Sequence, residues 1–254
     1  MSVIIPACNE AERLPAVLPS FLETFRPGQG FDDAEIIVVV NGSTDRTADR
    51  VREAALGHPH LRLIEEPAPI GKGAAVRLGI GHSRFDPVGF VDADGATSAA
   101  EFRRLLDLLG PGVDAVIGSR RMPGSVVDPP PPLPRRLGSR AFNLLVRLLF
   151  GFPFRDTQCG AKWVRREVLV PAAGRMGITR WAFDVDLLFQ LRRLGAVIRE
   201  APTVWRERPG THVRYARATW DMFVAVIRLR LLFSPLRFCV RLYDRTLGPW
   251  VHRA

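Results

Sequence analysis

Val91-Asp92-Ala93-Asp94-Gly95-Ala96-Thr97 takes up the end of the apolar run Pro87-Val88-Gly89-Phe90-Val91. The run reads as a short buried strand, with two carboxylates one residue apart at its end. In an α/β sheet, ligands collect at the carboxyl ends of the strands. Two acidic side chains at such an end suit a hard divalent cation, the usual partner of a diphosphate. The plainer reading is an acidic turn, because Asp and Gly are ordinary turn residues. The flanking sequence bears on the choice.

Upstream, Ser2 to Pro6 is a short apolar strand, followed by Asn9-Glu10. From Ala11 to Phe25, apolar residues recur at helical spacing: Leu14, Val17, Leu18, Phe21, Leu22 and Phe25. Glu35 to Val40 is a continuous run rich in β-branched residues, as expected of a parallel strand buried on both faces. Asn41-Gly42-Ser43-Thr44-Asp45 turns the chain, with Ser43 or Thr44 expected to cap a helix that runs to about Leu56. Leu61 to Glu65 is a third strand, and Ile70-Gly71-Lys72-Gly73 opens a helix from Ala74 to about Gly81. Downstream of the acidic turn, Ala99 to Leu109 reads as helix and Val113 to Ile117 as strand. This alternation predicts an α/β fold with a doubly wound, mostly parallel sheet flanked by helices. The loops at 7–10, 41–45, 67–73 and 92–97 then gather at one sheet edge. Backbone amides at helix starts and the Lys72 ammonium suit phosphate oxygens there. Neither a Walker A sequence nor a GxGxxG fingerprint is present, which weakens the ordinary nucleoside-triphosphate and dinucleotide readings.

The chain of 254 residues is long enough for one large domain, and its 47% apolar content fills a real core. Its net charge of +10 is uneven: the acids cluster before Gly110, and the stretch from Arg135 onward is rich in Arg. A basic half points to an anionic partner, although an Arg-rich composition inflates charge without one. No RNP, zinc-finger or helix-turn-helix pattern accompanies the charge, and the arginines sit among large aliphatics, so nucleic acid is not expected. Cys8, Cys159 and Cys239 have neither zinc-site spacing nor the even number of a disulfide framework, which fits a reducing, cytoplasmic setting. No signal peptide is visible at the start.

Four stretches in order resemble the family 2 glycosyltransferases of GT-A fold, over roughly the first 120 residues. They are Ile4-Ile5-Pro6-Ala7-Cys8-Asn9-Glu10, Ile36-Ile37-Val38-Val39-Val40-Asn41-Gly42-Ser43-Thr44-Asp45, Gly71-Lys72-Gly73 and Asp92-Ala93-Asp94. Further on, Gly118-Ser119-Arg120, Asp156-Thr157-Gln158-Cys159-Gly160-Ala161-Lys162 and Arg180-Trp181-Ala182-Phe183-Asp184-Val185-Asp186 resemble the branch that loads sugars onto polyisoprenyl phosphates. The resemblance implies that Asp92 and Asp94 hold Mg²⁺ or Mn²⁺. It implies that Pro6, Ala7, Glu10, Asn41, Lys72, Asp92, Ala93 and Asp94 contact the nucleotide sugar. Arg120, Gln158, Lys162 and Trp181 become candidates for the sugar or acceptor, and Asp94, Asp184 and Arg120 for catalysis. The form Asp-Ala-Asp-Gly-Ala-Thr is closer to the glucosyl branch, which favours a UDP-hexose over GDP-mannose. The family often has Tyr where Cys8 stands and an Asp pair where Val40-Asn41 stands. Asn41 offers an amide there, with both donor and acceptor.

Several of these residues carry plainer readings too. Asp184 suits a first-turn acid that interacts with the helix dipole, in a helix predicted from Phe183 to Leu194. Asp186, two residues on, points in a different direction. Gln158 and Lys162 suit an exposed loop and an exposed strand start. Trp181 suits core packing, and Cys159 a small buried hydrophobe.

Pro129 to Pro132 and Pro134 predict a stiff extended path. It leads into Leu137–Phe150, where leucines alternate with Arg140 and Arg147 behind Arg135 and Arg136. Such a basic amphipathic helix fits either a membrane interface or a sheet surface. Trp220 to Tyr243 has the same character, but Arg228, Arg230, Arg237 and Arg241 interrupt it. Arginines at the bilayer centre are costly, so an interfacial helix broken near Pro235 is expected rather than a spanning one. The expected organisation is a transferase domain over 1–214, with a nucleotide half 1–120 and an acceptor half 121–214, and a membrane-associating segment over 215–254. The resulting expectation is a peripheral membrane enzyme that moves a hexose, glucose by the motif, from a UDP-sugar to a polyprenyl phosphate with inversion. Its alternatives are a GDP-mannose donor and a soluble or saccharide alcohol acceptor.

Overall fold

The strand Glu35–Asn41, here β2, is buried along its whole length. Its side chains alternate between two apolar layers, Ile36, Val38 and Val40 on one face and Ile37 and Val39 on the other. The computed structural model describes residues 1–28, 30–177, 182–206, 215–235 and 238. β1 (Ser2–Ala7) runs parallel to β2 on one side and to β4 (Val88–Phe90) on the other, and β3 (Leu61–Glu66) lies outside β2. Beyond β4 come β7 (Lys162–Val164), β5 (Ala115–Ser119) and β8 (Ile198–Pro202), giving the order β3-β2-β1-β4-β7-β5-β8. Within this sheet β7 runs antiparallel to both of its neighbours. The strand order reverses between β1 and β4, so the crevice of a doubly wound sheet opens at their carboxyl ends.

Helices α1 (Leu14–Thr24), α2 (Thr47–Ala55) and α4 (Ala99–Leu106) pack on one face. α3 (Lys72–His82), α6 (Arg166–Arg175) and α7 (Phe183–Arg193) pack on the other. α5 (Leu133–Phe150) and α8 (Tyr215–Leu232) join α7 in a third cluster built on Phe142, Val146, Val185, Leu188, Val226 and Leu229. A two-stranded parallel ribbon, β6 (Val126–Asp128) with β9 (Val204–Arg206), is tied to the acidic turn, where Arg206 N donates to Ala96 O at 2.8 Å. Among the described residues, no helix is long and apolar enough to cross a membrane.

The predicted alternation is present, with local differences. Neither Ser43 nor Thr44 caps α2. Asp45 Oδ1 accepts from Thr47 N at 3.0 Å, while Ser43 Oγ accepts from Asn9 N at 3.1 Å. The stiff proline stretch ends at Pro132, because Pro134 falls in the first turn of α5, where no backbone N–H is needed. α3 begins at Lys72 because Gly71, at φ +85°, takes the turn before it. The two predicted halves share one sheet: β7 and β8, from the later half, complete it beside β4 and β5. Of the predicted C-terminal helix, α8 is described and packs against α5 and α7. Its continuation through Arg237 and Arg241 lies outside the described residues.

Candidate active site

Four loops meet at the β1/β4 crevice. The loops after β1 and β2 are laced together: Asn9, at φ +56°, accepts from Thr44 N at 2.8 Å, Glu10 N donates to Thr47 Oγ1 at 2.8 Å, and Ala11 N to Asp45 Oδ2 at 3.0 Å. Pro6 and Ala7 end β1, and the buried Asn41 donates from Nδ2 to Ala7 O at 3.2 Å. Glu10 pairs with Arg13, Nε to Oε2 at 2.6 Å. Burial pushes the Glu10 carboxyl up, against the pull of Arg13 and with help from Asp94 and Asp45. The third loop closes on the second, since Pro69 packs against the Cα of Gly42.

The fourth loop carries the acids. Asp94 Oδ1 accepts from Ala96 N at 2.9 Å across Gly95, whose φ is +71°. Burial, and then the charge of Asp92, raise the Asp94 carboxyl. Asp92 forms an ion pair with Lys72 and lies against the Cα of Gly160, where a β-carbon would collide with its carboxylate. Burial opposes the charged form of Lys72, but Asp92 and then Asp184 outweigh it and raise the ammonium. Two carboxylates from one turn fit a hard divalent cation such as Mg²⁺, which takes one or two carboxylates and completes its shell with substrate phosphates and water. Among the described residues no cluster of three or more His, Cys, Asp or Glu side chains forms a cage. The donor set therefore suits a cation shared with a phosphorylated ligand.

Asp184 stands in the first turn of α7 and pairs with Lys162 of β7. Lys162 Nζ lies 2.5 Å from Asp184 Oδ1 and donates to Cys159 O at 2.6 Å. Lys162 is 0% exposed, so the exposed strand start of the plainer reading does not hold. A buried pair of this kind is costly to break from one side, by about 3–5 kcal/mol, because the remaining charge is left uncompensated. Asp186 turns elsewhere and accepts from Gly177 N at 2.7 Å and Gln190 Nε2 at 2.8 Å. Cys159 is fully buried, and that burial pushes its thiol up to about 11, which marks a packing residue and not a nucleophile. Gln158 sits in the same turn, with its backbone N donating to Asp156 Oδ1 at 3.2 Å. Trp181 lies outside the described residues.

Next to the crevice, Asp156 binds Arg120 through three contacts: the backbone N at 3.1 Å, Nε at 2.7 Å and Nη2 at 3.0 Å. Despite burial, the Arg120 guanidinium holds the Asp156 carboxyl down to about 2. Arg120 also lies over the Trp205 ring, 4.9 Å from its centroid. Both residues line a cavity of about 810 Å³ that also presents Arg121, Arg135, Arg136, Arg140, Arg147 and Arg155. Among the described residues no carboxylate pairs with Arg136, Arg140 or Arg147. Burial lowers Arg121, with Arg120 and Arg140 adding to the effect against the pull of Asp156. Crowded like charges of this sort give the cavity a positive field. Met122, Val127 and Leu144 add apolar wall to the same cavity. On the outer side of α5, Leu133, Leu137, Leu144 and Leu148 are 55–74% exposed, one leucine stripe beside the arginines. Sequence reasoning placed the arginines of α5 but missed Arg121 and Arg155 as partners in one cavity. Only the spacing of Arg136, Arg140 and Arg147 on one helix face signalled it.

Residues 2–170 match the family model described as glycosyl transferase family 2. The dolichyl-phosphate beta-glucosyltransferase of Homo sapiens is 33% identical over 222 residues, covering 83% of this chain and 68% of that protein. Its namesake from Dictyostelium discoideum is 32% identical over 243 residues, covering 92% of this chain and 74% of that one. Among solved structures, glucosyl-3-phosphoglycerate synthase from Mycobacterium tuberculosis, in complex with Mn²⁺, UDP and glucosyl-3-phosphoglycerate, superposes with a TM-score of 0.64 at 22% identity. That alignment covers 90% of this chain and 78% of the other, and at such identity it is a likeness of fold. With its acidic turn at the switch point of a GT-A sheet, the chain is a glycosyltransferase and belongs to glycosyl transferase family 2.

Proposed function

We propose that this enzyme transfers glucose from UDP-glucose to the phosphate of a polyprenyl phosphate, with inversion, while held peripherally at the cytoplasmic face of a membrane. The observation that carries the reading is the arginine cavity bordered by exposed leucines. It offers cations for a phosphate and an apolar flank for a lipid chain, beside the crevice where a nucleotide sugar would lie. The names of the relatives support the same acceptor and sugar. The short Asp92–Thr97 motif favours the glucosyl over the mannosyl donor.

The chemistry asks little of a base. A phosphate oxygen, already anionic, attacks the anomeric carbon from the face opposite the diphosphate. The new C–O bond forms as the bond to the diphosphate breaks, and the electron pair leaves with the diphosphate. Asp92 and Asp94 would hold a divalent cation, Mg²⁺ or Mn²⁺, which when bound supplies positive charge for the leaving diphosphate. Lys72 adds a further cation at the same edge, and Arg120 bounds the acceptor side. Asp184, pinned by the buried Lys162, is suited to orienting a sugar hydroxyl and not to removing a proton.

Asp94→Ala is expected to lower transfer by about 100-fold or more and to weaken donor binding. Normal turnover of that variant in EDTA would remove the metal role. The acceptor is tested with labelled UDP-glucose or GDP-mannose, first with polyprenyl phosphate in detergent and then with soluble acceptors. Label from UDP-glucose in the organic phase supports the reading. Label that stays in water sinks the lipid acceptor, and label from GDP-mannose alone reassigns the donor. A soluble phosphorylated acceptor is the second reading, because the same arginines would bind it, but the leucine stripe would then have no partner.

A further inference from the structure

The cation against Asp92 is one of the protein's own side chains. The Lys72 ammonium makes an ion pair with Asp92 Oδ1, while the other side of that carboxylate abuts the Cα of Gly160. Asp94 is turned onto Ala96 N through its Oδ1. A divalent cation that approaches the two acids therefore meets an oxygen already shared with the Lys72 ammonium. The two cations repel, and the ion must either displace Lys72 or accept a weakened ligand.

Lys72 is reachable from solvent, being 25% exposed. It is the first residue of α3, its side chain is only part-buried, and its ammonium lies 5.6 Å from the centroid of the Phe183 ring. A diphosphate in the crevice presents oxygens to the same ammonium at the amino end of that helix.

We propose that Lys72 is a built-in counter-ion of the Asp92–Asp94 pair, which holds the free site against a divalent cation until the diphosphate of the donor draws the ammonium off Asp92. This rests on the nucleotide-sugar reading above and adds to it the coupling between the two ligands. Metal and donor then strengthen each other's binding by the same factor, as linkage requires. Part of that factor belongs to Lys72 and not to direct contact between metal and phosphate.

The test uses Mn²⁺ and UDP as probes, with metal affinity read by electron paramagnetic resonance or calorimetry on the full chain. Mn²⁺ alone should bind Lys72→Met about fivefold or more tightly than wild type, the low end of ordinary coupling factors. The enhancement of Mn²⁺ affinity by UDP should shrink in the variant by the same factor. Lys72→Gln, which keeps the chain polar, carries the same expectation should the methionine variant fail to fold. Mn²⁺ binding that is unchanged or weaker in the folded variants, with UDP-dependent binding intact in wild type, overturns the counter-ion role alone. A wild-type protein that binds no Mn²⁺ even with UDP overturns both this role and the metal-dependent reading on which it stands.

Discussion

A single methyl group at residue 160 is expected to disable the donor site. A β-carbon there would overlap the Asp92 carboxylate, and the backbone on both sides is held, by the Asp156 turn and by β7. Gly160→Ala should weaken binding of UDP with Mn²⁺ by tenfold or more, measured by calorimetry, at an overpacking cost of about 1–3 kcal/mol in stability. Tight binding in that variant would mean that Asp92 is not placed by its neighbour. Asp156 makes a pH-dependent contribution. Its folded carboxyl titrates at about 2, below the unfolded value of about 3.9. The depressed value means that the stabilisation is complete above pH ~4 and is lost as pH falls toward about 2, worth roughly 2–3 kcal/mol. Asp156→Asn should remove that part of the acid dependence of the urea midpoint, and it should lower stability at neutral pH by leaving Arg120 unpaired. At this scale a motif singled out Asp92 and Asp94, and the fold puts both in one turn at the crevice. The sequence was opaque to the burial of Lys162, although a motif named the residue. Burial of a lysine depends on a carboxylate 22 positions away, and no local pattern records that partner.

Among the elements, α5 shows why periodicity alone could not choose between a membrane and a sheet for its apolar residues. The helix has two apolar faces: Phe142 and Val146 enter the third cluster, while Leu133, Leu137, Leu144 and Leu148 face outward. A hydrophobic pattern counts both together. Replacing Leu137 and Leu148 by Glu should change stability by no more than about 0.5 kcal/mol each, as for exposed positions generally. The same double substitution should sharply reduce co-sedimentation with vesicles containing anionic phospholipid. Retained binding would remove the leucine stripe from the membrane contact. The short elements were hidden for another reason. β7 and β9 have three residues each, too few for any period to show. Asp45, and neither Ser43 nor Thr44, takes the Thr47 amide at the start of α2, where no side chain caps the helix itself; three polar turn residues stand in a row, and composition does not rank them.

At the scale of the whole molecule, the alternation of strands and helices was legible through β5, because each parallel strand there is followed by its own crossover helix. The completion of the sheet was not legible, because β7 and β8 follow a long excursion through β6 and α5. That excursion has a consequence for the growing chain. β4 and β5 never touch as neighbours, since the reversed β7 stands between them and pairs with both. A ribosome that has delivered residues 1–120 has therefore delivered a sheet with a missing slat. Until residues 162–164 emerge, the inner edges of β4 and β5 have no permanent partner. A fragment ending at residue 161 should show no cooperative unfolding transition by circular dichroism, where the full chain does, and a sharp transition in the fragment would show that the donor half closes by itself. On this view the crevice beside β4 is not walled in until a strand from well past residue 120 has been made.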